Sequence, residues 1–168
     1  SSSYALLDNC RCENNGNQGA RIGISCVVIG GEYDNNAGHG LFVTTNTIVM
    51  MATAHGNSEN QISVEGAGGL VAFCEAYGIP ANKAGIKCLY QCHVVNCTVD
   101  GENANSIGIN MAGDRSSVVN CIVTRCGIGL LGPTGNAFID SRYNLLHRNS
   151  TDTSNWPVGT GHITGQDP

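Results

Sequence analysis

The chain has 168 residues, enough for one domain with a real core. Eight Lys and Arg against 13 Asp and Glu give a net charge of −5, which argues against the basic footprint of a nucleic-acid binder. No apolar run is long enough to span a bilayer; only 12% of residues are charged and 23 are glycine, the composition of short strands joined by tight turns.

The chain opens on "SSSYALLDN", directly in strand-like sequence and without a signal peptide, as expected of a processed or excised piece of a longer protein. From there a first kind of strand-like run recurs: "LLDNCRCENN" (6–15), "VVIGGEYDNN" (27–36), "VMMATAHGNS" (49–58), "LVAFCEAYGI" (70–79), "HVVNCTVDGE" (93–102) and "SVVNCIVTRC" (117–126). Aligned on Cys10, Gly31, Thr53, Cys74, Cys97 and Cys121, these runs step by 21, 22, 21, 23 and 24 residues. A second kind follows each: "ARIGIS", "GLFVTT", "QISVEG", "GIKCLY", "SIGINM" and "GIGLLG". Its inward pairs are Ile22/Ile24, Leu41/Val43, Ile62/Val64, Ile86/Cys88, Ile107/Ile109 and Ile128/Leu130, with steps of 19, 21, 24, 21 and 21.

Two columns with one period predict a solenoid whose coils hold two or three short strands. One coil cannot bury its own inner face, so coils stack about 4.8 Å apart and bury like residues on like. The "L-x-x-L-x-L-x-x-N" signature of leucine-rich repeats is absent. The "VVNC.V" strands, the Asn/Gly turns and the "GI.I" strands resemble the right-handed parallel β-helix of the pectin-lyase-like superfamily, over roughly residues 4 to 148. The resemblance implies an all-β, right-handed parallel β-helix of about six to seven coils. Residues 1–148 would form the coils and residues 149–168 a polar C-terminal tail or cap, with Trp156 shielding the last coil.

That superfamily holds polysaccharide lyases, polygalacturonases, epimerases, phage tailspikes and non-catalytic surface repeats, so function rests on the site. "NAGHGLFVTT" (36–45) resembles the Gly-His-Gly stretch of polygalacturonases. Those enzymes also need paired aspartates on the preceding rungs, and "ARIGIS" and "LLDNCRC" carry no such pair. His39 shares its slot with Gln18 or Gly19, Asn60 or Gln61, Ala84 and Asn105, which reads as a variable turn.

Nine cysteines could mean a disulfide scaffold. Cys74, Cys97 and Cys121 fall on successive rungs of one column, so they read instead as a buried, reduced ladder of small apolar groups. A single disulfide between neighbouring members is the alternative. Acidic turns at 32–36 and 100–106 offer oxygen ligands, yet neither matches an EF-hand or a nine-residue calcium repeat. The cofactor expectation is therefore none, with Ca2+ as the alternative.

Counting parity from the inward columns, the second strands expose Phe42, Thr44, Ser63, Glu65, Lys87 and Asn110, and the first expose Arg11, Glu32, Phe73, Glu75, Asn96 and Asn120. Phe42, Glu65, Lys87 and Glu75 are the candidate contacts for a glycan. Lyase chemistry would ask for a base beside positive charge, and Lys87 with Glu65 one rung away is the nearest approach to it. The turns vary by only a few residues, whereas an enzyme of this kind walls its cleft with long loops. The expectation is a non-catalytic module of a surface, adhesin or phage-type protein. It would be extracellular, contact a polysaccharide, and self-associate through its uncapped ends. A polysaccharide lyase, hydrolase or epimerase is the alternative.

Overall fold

A computed structural model describes residues 4–134, 139–156 and 161–165. Among them every regular element is a β-strand, all paired in parallel, and the strands wind into a β-solenoid of about six turns.

Each coil has three faces. The first face stacks Leu6–Asp8, Val27–Ile29, Ile48–Met50, Leu70–Ala72, His93–Val95, Ser116–Val119 and Ile139–Arg142. The second runs from Arg11–Glu13 through Glu32–Asp34, Thr53–His55 and Glu75–Tyr77 into the longer strands Thr98–Met111 and Ile122–Leu131, then Leu145–His147 and Ile163–Thr164. The third starts at Ala20–Ile22 and continues through Leu41–Val43, Ile62–Ala67, Ala84–Tyr90, the second halves of the two long strands, and Thr151–Ser154. Parallel pairing thus runs past residue 148, and the described parts of the 149–168 segment add strands to the stack. Trp156 is buried against the core beside Gly132; residues 157–160 and 166–168 of that segment lie outside the described ones.

What sequence reading treats as one first strand is two strands meeting at a corner. The corner residue lies in the left-handed region, at φ between 47° and 65°, on every rung: Asn9, Gly30, Met51, Phe73, Asn96, Asn120 and Tyr143. A second corner turns through Asn14, Asn35, Gly56, Gly78, Arg125 and Arg148, and a third through Ser25, Asn46, Gly68, Gln91 and Arg115. Asn and Gly fill most of these places because they tolerate that conformation at least cost.

The core is a set of columns. Leu7, Val28, Val49, Val71, Val94 and Val118 align inside the first face. Cys12, Tyr33, Ala54, Ala76, Val99, Val123 and Leu146 align inside the second. Leu41, Ile62, Ile86, Ile109 and Leu130 line the third, with Val43, Val64, Cys88 and Met111 beside them. Full burial of one Val, Leu or Ile side chain is worth about 1.5–3 kcal/mol; the first and third faces repeat it rung after rung, while the second carries Ala54 and Ala76 in mid-column.

The register corrects four sequence assignments. Ala52, not Thr53, aligns with Cys74, because Thr53 pairs with Glu75. Ala20 and Ile22, not Ile22 and Ile24, pair with Leu41 and Val43, and Ile24 is half exposed. Ile109 and Met111 continue the column of Ile86 and Cys88, which moves Ile107 and Ile128 to its half-buried edge. Ser63, expected outside, is fully buried: it is a short side chain in register between Phe42 and Lys87, and Glu65 folds back onto it.

Polar groups also stack. At the second corner Asn15, Asn36 and Asn57 hand one hydrogen bond up the rungs. Asn15 Nδ2 donates to Asn36 Oδ1 at 2.8 Å, and Asn36 Nδ2 to Asn57 Oδ1 at 2.9 Å. Asn57 Nδ2 closes the series on Gln61 Oε1 at 2.7 Å and on the Tyr33 carbonyl at 2.8 Å. Asn36 and Asn57 are buried, so these bonds satisfy backbone groups that the corner would otherwise strand.

None of the nine cysteines is in a disulfide; Cys10 and Cys12 are partly exposed and the other seven buried. Cys74, Cys97 and Cys121 immediately precede the registered residues Glu75, Thr98 and Ile122, so they occupy equivalent places on consecutive rungs. Hydrogen bonds to Cys97, joined by burial, push the Cys74 and Cys121 thiols up, and burial raises Cys126 to about 11.

Candidate functional site

Phe42, Ser63, Lys87 and Asn110 are registered neighbours on successive rungs of the third face, so parallel pairing alone brings them into line. Glu65 lies two residues beyond Ser63 on the same strand. Its Oε1 accepts from Ser63 Oγ at 2.6 Å and from Lys87 Nζ at 3.2 Å. Burial works against the charged form of Glu65, but those two hydrogen bonds and the lysine charge outweigh it and hold the carboxyl below its ordinary value.

His39 stands at the edge of this group. Its Nδ1 accepts the Asn60 backbone N–H at 3.1 Å, and its ring lies 5.4 Å from that of Phe42. Burial lowers its pKa, which favours the neutral imidazole that this bond requires. On the other side the Arg21 guanidinium lies over Phe42 at 5.3 Å. Lys83 pairs with Glu59 at 2.6 Å. His39, Glu59, Lys83, Lys87 and Asn110 help to line an open cleft of about 360 Å³. The Gly-His-Gly stretch is thus a turn tied to the next rung. Gly40 leaves room for the Gln61 carbonyl, and His39 supports backbone rather than acid residues.

The structure brings Phe42, Glu65 and Lys87 together. Glu75 stands apart on the second face, between Thr53 and Thr98. That face carries a column that the sequence reading left out, although it shares the parity of Arg11, Glu32 and Glu75: Glu13, Asp34, His55, Tyr77 and Asp100. His55 stacks on Tyr77 with centroids 4.5 Å apart, and its Nε2 lies 3.6 Å from the Asp34 carboxylate. Asp34 is buried, and its Oδ1 has no partner. Higher on the same face Arg125 engages both Asp100 and Glu102, so the acids of the 100–106 turn already share a cation. Among the described residues no group of three or more His, Cys, Asp and Glu side chains converges as a metal ion needs, and no helix is long and apolar enough to cross a membrane.

Comparison with protein-family models, with curated proteins and with solved structures gives no match in any of the three. The likeness to the pectin-lyase-like superfamily therefore stands on the coil pattern alone.

Proposed function

We propose that this chain is a non-catalytic module of a surface, adhesin or phage-type protein, akin to the pectin-lyase-like superfamily, that contacts glycans through its third face. The observation that carries this reading is the mutual pairing of that face's charges: Glu65 with Ser63 and Lys87, and Lys83 with Glu59. Acid–base chemistry on a sugar needs a carboxyl or amine free to exchange its proton. A carboxylate held ionised by two donors supplies hydrogen-bond acceptors instead. Phe42, with the Arg21 guanidinium over its ring and His39 5.4 Å away, adds an aromatic edge beside them. A contact of this kind belongs outside the cell. Cys74, Cys97 and Cys121 would then serve as an inert ladder, shielded by burial from an oxidising medium.

One observation favours the second reading, a polysaccharide lyase, hydrolase or epimerase. It is the buried, unpartnered Asp34 Oδ1 beside His55 on the second face. A single experiment separates the two. The purified chain is tested against anionic and neutral polysaccharides for both binding and cleavage. Retention without cleavage, weakened in the double variant Phe42→Ala/Lys87→Ala, supports the module. Cleavage that disappears in Asp34→Asn or His55→Ala replaces it with the enzyme.

A further inference from the structure

The first corner differs from the other two in what occupies its left-handed positions. Among the described residues, each such position at the second and third corners holds Gly or a polar residue. The first corner holds Met51, Phe73 and Tyr143 as well as Asn9, Gly30, Asn96 and Asn120. A bulky apolar residue at positive φ is a backbone outlier that a neighbouring rung shows to be avoidable, since Asn serves the same place there. Phe73 and Tyr143 are also 59% and 62% exposed, so burial does not compensate for the strain. Strain held in this way, with exposed rings as the result, points to use of the rings.

The corner is also a groove. A cleft of about 620 Å³ runs beside Asn9, Gly30 and Met51, and one of about 580 Å³ beside Phe73, Asn96, Asn120 and Tyr143. Met51 and Phe73 directly follow the registered pair Met50 and Ala72, so the two clefts adjoin along the solenoid axis. The upper one has no charged residue in its lining. Phe73 and Tyr143 bracket it three rungs apart, about 14 Å at the usual strand spacing. Between them Asn120 Nδ2 donates to Asn96 Oδ1 at 2.6 Å, which leaves the Asn96 NH2, the second N–H of Asn120 and the Asn120 Oδ1 acceptor for a ligand.

We infer that this groove binds an uncharged linear polysaccharide lying along the solenoid axis, with sugar rings stacked on Phe73 and Tyr143 and hydroxyls paired with Asn96 and Asn120. The apolar C–H face of a pyranose fits an exposed aromatic ring, and its hydroxyls fit amides. The distance between the rings suits roughly three sugar units at that rung spacing. A uronate polymer would meet no cation in the upper cleft. The inference rests on reading the chain as a glycan-contacting module, but it uses none of the third-face residues.

The test uses calorimetric titration of the whole chain with neutral hexasaccharides of β-1,4-linked glucose, mannose and xylose, and with hexagalacturonate. The variant is Phe73→Asn/Tyr143→Asn, which places at both corners the residue that already serves at Asn96 and Asn120. A neutral hexasaccharide is expected to bind the parent chain. The variant is expected to lose at least tenfold in affinity with a melting temperature unchanged or raised, and Phe42→Ala/Lys87→Ala is titrated alongside to separate the groove from the third face. Failure of all three neutral probes, or binding undiminished in the corner variant, would overturn the groove. So would sedimentation showing a parent oligomer that the corner variant splits into monomers, for the occupant would then be a second copy. If the third-face variant alone loses binding, the groove falls and the third-face reading stands.

Discussion

A methyl group on Gly40 would sit 2.5 Å from the Asn57 amide nitrogen and 2.7 Å from the Gln61 carbonyl oxygen. Neither can retreat, since both belong to the hydrogen-bonded stack of the second corner. Gly40→Ala should therefore destabilise by about 1–3 kcal/mol, as overpacking does. Gly16, with nothing within 4 Å of its would-be Cβ, should accept alanine within about 0.5 kcal/mol. Urea midpoints of the two variants decide, and equal midpoints would refute the close approach. At the same scale the thiols separate by exposure. With Ellman's reagent at pH 8, Cys10 and Cys12 should react in the native protein and the other seven only on denaturation. An immediate reaction of seven or more would mean that the core columns are open.

At the scale of one corner, Asn57 serves several partners at once. It receives from Asn36 and donates to Gln61 and to the Tyr33 carbonyl. Asn57→Ala leaves buried acceptors and a donor unmet, at a cost of about 1–3 kcal/mol for an unsatisfied group. The same change at Asn15, which is exposed, should cost far less, and thermal melts of the pair would show the contrast. Corners are also where the sequence pattern fell short. The period of the columns was legible because parallel stacking puts like on like. The first corner is read from the sequence on no rung: each run passes for one strand even where Asn9, Gly30, Asn96 and Asn120 mark the turn, and Met51, Phe73 and Tyr143 give no turn signal at all. A missed corner merges two faces into one strand. That is why Phe73 and Glu75 read as exposed residues of one strand, although Phe73 is the corner itself and Glu75 starts the next face. Alternation along a strand also fixes inside from outside but says nothing of a shift by two. Ile107 could thus pass for Ile109 until the register shifts between Asp100 and Ile107 were known.

At the scale of the whole molecule, two groups packed on the third face, His39 and Glu65, tie stability to pH. Burial holds His39 below its ordinary 6.5, against the opposing pull of Glu59 and Glu65. Glu65, despite burial, is held below its ordinary 4.5 by Ser63 and Lys87. In both cases the unfolded chain binds more protons than the folded one between the two pKa values, so stability falls as pH falls. The loss should begin below about 6.5 from His39 and deepen below about 4.5 from Glu65. Melting temperatures measured between pH 8 and pH 3 should decline through both windows. His39→Asn should flatten the upper one and Glu65→Gln the lower one; a melting temperature that rises on acidification from 7 to 5 would contradict the assignment.

Among the described residues the backbone hydrogen bonds between rungs point along the solenoid axis, and each coil pairs with the coils beside it. Pulled from its two ends, such a molecule is a spool: tension lifts one coil off the stack while the rest stay wound. Registered partners lie 21 residues apart at Leu6 and Val27 and 24 apart at Val95 and Val119. Each release should therefore lengthen the chain by roughly 70–85 Å at 3.3–3.6 Å per residue. A force trace on a single tethered molecule should climb in equal treads of that length, and one abrupt extension of the whole chain would show that the coils do not yield separately.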